Sequence, residues 1–162
     1  MKQVALMRHA EALPAGAGEY DYQRPLSEQG ECDAALIGRR LARNFRFPDA
    51  VLASPARRTR RTAEIVAAQL AFPPADIQFE ARAYEARISD LCALLQDLDD
   101  ALERVVLVAH NPAISGVCTY LLQEWVADLP SGACAQLTLD IESWAEVQPG
   151  CGRLQNLDHP FR

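Results

Sequence analysis

A chain of 162 residues, 49% apolar and 23% charged, has the length and composition of one soluble domain able to bury a substantial core. Its formal net charge of −6 argues against general affinity for nucleic acid or an anionic membrane, so any anion site must be a local concentration of positive charge. The first apolar run, Val4 to Met7, is too short for a signal peptide or a membrane span, and the five cysteines stand singly without a CxxC pair. They read as small apolar residues of a reducing cytoplasm, not as a disulfide framework or a zinc site.

Short apolar runs alternate with longer amphipathic stretches, which predicts an α/β fold over residues 1–162 with no linker or repeat. A first strand covers Gln3 to Met7. Ser27 caps a helix reaching about Asn44, with Ala34, Ala35, Leu36, Leu41 and Ala42 as its apolar stripe. A second strand, Ala50 to Ala53, precedes a helix to about Leu70, and a short strand is expected near Ile77 to Phe79. Ile88 to Leu98 repeats apolar residues at helical spacing. Val105 to Ala109 is continuously apolar, as for a central parallel strand buried on both faces. A helix from Pro112 to about Gln123 follows. Gln136 to Ile141 and Trp144 to Val147 read as a closing pair of strands at the sheet edge.

Three polar motifs follow three of these strands: Arg8-His9-Ala10-Glu11, Ser54-Pro55-Ala56-Arg57-Arg58 and His110-Asn111-Pro112. Ligands of open α/β sheets bind outside the carboxyl ends of the strands, so Arg8, His9, Arg58 and His110 should meet at one edge. Ser54-Pro55 and Asn111-Pro112 each place an N-cap residue before a proline suited to the first helical position, and such helix starts attract phosphate. Arg58 then lies in the first turn, against the helix dipole, a conflict expected at an anion site. Arg57, Arg60 and Arg61 read as a solvated face, with Arg60 and Arg61 within reach of Glu64.

The blander readings are weaker as a set. Either histidine alone would pass for a satisfied core residue, but two at strand ends beside Arg8 and Arg58 would not. A zinc site is opposed by the arginines and lacks HxxxH or HxH spacing. His159 reads as surface, and Trp125 and Trp144 as core or rim.

Arg8-His9-Ala10 resembles the Arg-His-Gly signature of the histidine phosphatase superfamily. Ser54-Pro55-x-x-Arg58-x-x-x-Thr62-Ala63 is similar to its second motif, and His110-Asn111-Pro112 to its second histidine. Arg24-Pro25-Leu26-Ser27 resembles the segment that supplies a further phosphate-binding arginine. Together with Tyr84-Glu85-Ala86 and the small size, these make the chain most similar to the SixA-type phosphohistidine phosphatases. The resemblance spans about Lys2 to Leu122; Ala10 departs from it where glycine is commoner, which limits backbone geometry there.

The resemblance implies a three-layer α/β/α sandwich around a mostly parallel sheet, phosphoglycerate mutase-like and without a cap subdomain. It also implies a metal-independent, cofactor-free phosphatase. His9 would take the phosphoryl group, Arg8, Arg24, Arg58 and His110 would hold its oxygens, and Ser54 and Asn111 would contribute to substrate binding. Glu85 is the candidate general acid, ahead of Glu11 and Asp21. The loop between Arg8 and Ser27, with Gly16, Gly18, Tyr20 and Tyr22, and the stretch from Ile77 to Val105 leave no room for a cap. An open site suits a phosphohistidine on a carrier or signalling domain. A small phosphomonoester substrate, or a binding module without turnover, are the alternatives.

Overall fold

The computed structural model describes residues 1–161. Six strands form one sheet in the order β3-β2-β4-β1-β5-β6, where β1 is Lys2–Arg8, β2 Ala50–Ala53, β3 Gln78–Phe79, β4 Arg104–Ala109, β5 Cys134–Leu139 and β6 Gly152–Asp158. β1, β2, β3 and β4 run parallel, while β5 is antiparallel to β1 and β6 to β5. Among the described residues the α-helices are α1 (Glu28–Phe45), α2 (Arg57–Gln69), α3 (Ile88–Gln96) and α4 (Ala113–Leu122).

Side chains alternate across a strand, and here the alternation sorts the core into two layers. Val4, Leu6, Val105 and Leu107 join Leu91, Leu95, Ile114 and Val117 of α3 and α4 on one face. Ala5, Met7, Val106 and Val108 join Ile37, Leu41, Ala63 and Val66 of α1 and α2 on the other. The helix after β1 therefore packs on one face and the helix after β4 on the opposite face, although the two strands are neighbours. Their following loops part at that point and leave a crevice at the carboxyl edge.

Ser27 caps α1 as its sequence predicts, accepting from the Gly30 N–H at 3.0 Å, with Glu28 and Glu31 in the favourable first turn. The other two expected caps are displaced. α2 begins only at Arg57 after Ala56, and Ser54 accepts instead from the Ala56 N–H at 3.3 Å. α4 begins at Ala113 after Pro112, and the Asn111 side chain donates to the Leu129 carbonyl and accepts from the Ser115 hydroxyl.

The end of the chain also differs from expectation. Trp144 to Val147 is not a strand: Asp100 accepts from the Ser143 hydroxyl and the Trp144 N–H, and the segment turns as a short 3-10 helix, Trp144–Glu146. The closing strand is β6, whose residues 153–157 are exposed and carry little apolar signal. Trp144 is wholly buried, with its indole N–H donated to the Leu102 carbonyl, but Trp125 is 84% exposed and belongs to no core. His159 is exposed as expected. Cys92, Cys118, Cys134 and Cys151 are buried, Cys32 is exposed, and all are free thiols. No helix among the described residues is long and apolar enough to cross a membrane.

Candidate active site

The crevice brings together the three motifs because their strands are adjacent in the order β2-β4-β1. Backbone bonds continue beyond the paired residues and knit the loops. The His9 N–H donates to the Ala109 carbonyl at 3.1 Å and the Ser54 N–H to the Val108 carbonyl at 3.1 Å. His9 and His110 consequently stand with ring centroids 5.2 Å apart.

His9 is 8% exposed, and its Nδ1 lies 2.7 Å from the Ala10 carbonyl oxygen. A carbonyl can only accept, so Nδ1 carries the proton and donates, and the Nε2 lone pair of the neutral ring is left available. The Ala10 peptide is itself fixed. Its N–H donates to the Thr62 hydroxyl at 3.1 Å, and that hydroxyl donates to the Arg58 carbonyl at 2.7 Å. One hydroxyl thus ties the His9 loop to the helix that carries Arg58.

Burial pushes His9 down to about 4, against the pull of the Ala10 carbonyl and reinforced by Arg58, Arg8 and Arg24. Burial also lowers His110 to about 3, with His9 and Arg58 adding to it. Both rings are therefore neutral across the neutral pH range. His110 Nε2 is hydrogen-bonded to the Ser54 hydroxyl at 2.8 Å, and the Tyr84 ring meets the His110 ring edge-on at 5.6 Å.

Three guanidiniums surround the pair. Arg8 donates to the Leu129 carbonyl at 3.0 Å and Arg24 to the Leu13 carbonyl at 2.8 Å. Arg58, only 6% exposed, donates to the Asp21 carbonyl at 2.7 Å and to the Asp21 carboxylate at 2.9 Å. Asp21 organises this side of the site, because its carboxylate also accepts from Arg24 at 3.2 Å and from the Tyr84 hydroxyl at 2.9 Å. Burial would raise its pKa, but the bonds from Arg58, Tyr84 and Arg24 outweigh that and bring it to about 2. A carboxylate so held stays ionised and has no proton to give, which removes it as a general acid. The segment bearing Asp21 is pinned at its base by the Leu13 N–H donating to the Pro25 carbonyl at 2.9 Å.

The remaining candidates separate. Glu11 accepts from the Ser27 hydroxyl at 2.9 Å and belongs to the start of α1. Glu85 is exposed beside Tyr84, at a positive φ of 53°. Asn111 reaches the Leu129 carbonyl, the same residue that anchors Arg8. Arg61 pairs with Glu31 at 3.0 Å, not with Glu64, and Arg60 lies over the Phe79 ring at 3.8 Å from its centroid. Among the described residues no cluster of three His, Cys, Asp or Glu side chains could hold a metal ion.

A neutral imidazole with a free lone pair amid guanidiniums suits phosphoryl chemistry, and the class that fold and site define is a phosphatase. The family model of the histidine phosphatase superfamily (branch 1) matches residues 4–91, more than half the chain, and the chain belongs to that superfamily. Its fold superposes on the protein histidine phosphatase SixA complexed with tungstate at a TM-score of 0.83, with 25% identity over 98% of this chain and 97% of that one. An Agrobacterium tumefaciens protein carrying the name phosphohistidine phosphatase SixA gives a TM-score of 0.84 and 28% identity, over 98% of both chains. An uncharacterized protein of Mycobacterium tuberculosis is 29% identical over 165 aligned positions, covering 95% of this chain and 99% of its own length.

Proposed function

We propose that this protein removes phosphate from phosphohistidine on a protein substrate, through a phosphohistidine intermediate on His9. The observation that carries the reading is the fixed His9 tautomer, Nδ1–H on the Ala10 carbonyl and Nε2 free, in a ring kept neutral by burial and three arginines. In the first step the Nε2 lone pair forms a bond to phosphorus as the bond from phosphorus to the leaving imidazole nitrogen breaks. That nitrogen keeps the electron pair, and with the other ring nitrogen already protonated the imidazole departs as a neutral ring. Arg8, Arg24 and Arg58 spread the charge of the equatorial oxygens by bidentate hydrogen bonding, and His110 with Ser54 adds a neutral hydrogen-bonding edge. In the second step water attacks phosphorus, the His9–phosphorus bond breaks, and inorganic phosphate leaves.

No metal or cofactor enters these steps. An imidazole leaving group can arrive already protonated, so a strong general acid is dispensable for it, and Glu85 at the rim would serve an ester substrate. Support for a protein substrate comes from what flanks the crevice. The 9–26 loop contains the 3-10 turn Asp21–Gln23 and a single bridge between Ala12 and Leu26, and the span from β3 to β4 holds one such turn, Ala81–Ala83, and α3. Neither builds a cap that could enclose a metabolite.

Purified protein is incubated in EDTA with a phosphohistidine-bearing carrier protein and, separately, with an aryl phosphate, beside a His9→Ala variant. Phosphate release by the wild type alone, faster from the carrier protein, is expected. Equal release by His9→Ala removes His9 as nucleophile. A faster aryl phosphate replaces the protein substrate by a small phosphomonoester, and silence on both moves the protein to phosphate binding without turnover.

A further inference from the structure

A helix has the positive end of its dipole at its N-terminus, and α1 respects this with Glu28 and Glu31 in its first turn. α2 does the reverse. Arg57, Arg58 and Arg60 fall in its opening residues and no acidic residue does. Arg58 is accounted for by Asp21 and the phosphoryl site, and Arg61 in the next positions by Glu31. Arg57 and Arg60 are exposed, and among the described residues neither forms an ion pair. Arg60 is nevertheless held in place, with its guanidinium 3.8 Å from the centroid of the Phe79 ring.

Both arginines face an open cavity of about 480 Å³, whose other walls are Glu19, Tyr22, Gln23 and Pro55. These walls adjoin residues of the phosphoryl site. Tyr22 and Gln23 belong to the turn whose Asp21 holds Arg58, and Pro55 follows Ser54, the partner of His110. The Tyr22 ring meets Tyr84 edge-on at 5.1 Å, and Tyr84 meets His110 in turn. Glu19 accepts from the Gly16 N–H at 3.3 Å and closes its own loop, so two cations face the cavity against one carboxylate already engaged.

We infer that this cavity is a second anion subsite, which takes acidic side chains of a protein substrate lying a few residues from its phosphorylated histidine. The inference rests on the protein-substrate reading above and adds to it a sequence preference. A chain crossing the rim of an open crevice would pass over the Asp21–Gln23 turn, and guanidiniums bind carboxylates bidentately. A lone phosphoryl group has no second anion to place there.

The test uses a histidine peptide phosphorylated chemically on its ring, with glutamates at the second and third positions on either side, and the same peptide with glutamines. An aryl phosphate serves as the probe of the phosphoryl site alone. The wild type is expected to favour the glutamate peptide about fivefold in kcat/KM, through KM, with the preference falling as salt is raised. The double variant Arg57→Gln, Arg60→Gln should turn over both peptides alike while hydrolysing aryl phosphate, which also shows that it is folded. The charge reversal Arg57→Glu should turn the preference towards glutamine. Equal turnover of the two peptides by the wild type, or a preference that survives in the double variant, overturns the subsite and leaves the protein-substrate reading standing. Turnover of neither peptide beside normal aryl phosphate hydrolysis overturns both.

Discussion

The neutrality of the His9–His110 pair can be tested directly by lowering the pH. An ordinary imidazole with a pKa of about 6.5 is roughly 90% protonated at pH 5.5, whereas one at about 4 is roughly 3% protonated there. The two rings are close enough to titrate as a coupled pair, so the second proton binds still lower than the first. Replacing His159 by glutamine leaves only these two of the three histidines, and their ring Cε1–H resonances can be followed by NMR from pH 8 downwards. Both should stay at their neutral positions to about pH 5. The same shift sets a stability slope. His9 has its folded pKa below its unfolded value, so the unfolded chain binds more protons between about 4 and 6.5. The stabilisation is complete above 6.5 and is lost as the pH falls through that window. Between pH 7 and pH 4.5 the loss amounts to about 2.5 kcal/mol from His9 alone. Urea denaturation at the two pH values measures it, and His9→Asn should shrink the difference. A ring of the pair titrating near 6.5, or a stability unchanged between the two pH values, would refute the picture of a buried neutral nucleophile.

Three other perturbations probe the groups around the pair. Asp21→Asn keeps the shape of the hub but removes the charge that orients Arg58 and Arg24. Steady-state kinetics on aryl phosphate should show kcat down about tenfold with KM no higher, since the site becomes more positive while its guanidiniums are less firmly aimed; a raised KM at unchanged kcat would contradict that role. Thr62→Val leaves the buried Ala10 N–H without an acceptor and should cost about 1–3 kcal/mol in urea denaturation, with Thr62→Ser restoring most of it. At Gly30→Ala the new Cβ would overlap the Glu11 carbonyl oxygen, pushing α1 away from the loop that follows His9. Melting should show a loss of at least about 1–3 kcal/mol, and an unchanged midpoint would mean that the loop yields freely.

What could be read from the sequence was whatever depends on neighbours along the chain. The β1, β2 and β4 strands carry their own apolar runs, and the motif after each is contiguous with it, so the meeting of His9, His110 and Arg58 followed from one rule about strand ends. Ser27 worked as a cap because its acceptor and the Gly30 donor are three residues apart. The misreadings come from partners far away in sequence. Asp100 claims the Ser143 hydroxyl and the Trp144 N–H from more than forty positions off and turns a would-be strand into a 3-10 helix. Glu31 takes Arg61 across the α1–α2 contact, where local spacing offered Glu64. Asp21 was visible only as one more carboxylate; its hold on Arg58 and Tyr84 spans 37 and 63 positions, and no local pattern encodes it.

The opening of α2 joins these two kinds of information. Helix propensity and dipole energetics can be judged from sequence alone, and by that standard a first turn with three arginines and no carboxylate is mis-designed. On α1 of the same protein the rule is kept, so the exception is specific to one helix. The fold relieves Arg58 by laying Asp21 across it, and it steadies Arg60 on Phe79, but among the described residues it supplies no ion-pair partner for Arg57 or Arg60. An unfavourable local arrangement persists where something outside the helix makes use of it. At Arg58 the use proposed above is the phosphoryl group, and the same reasoning applied one residue before it and two after it points to anions carried by the substrate itself.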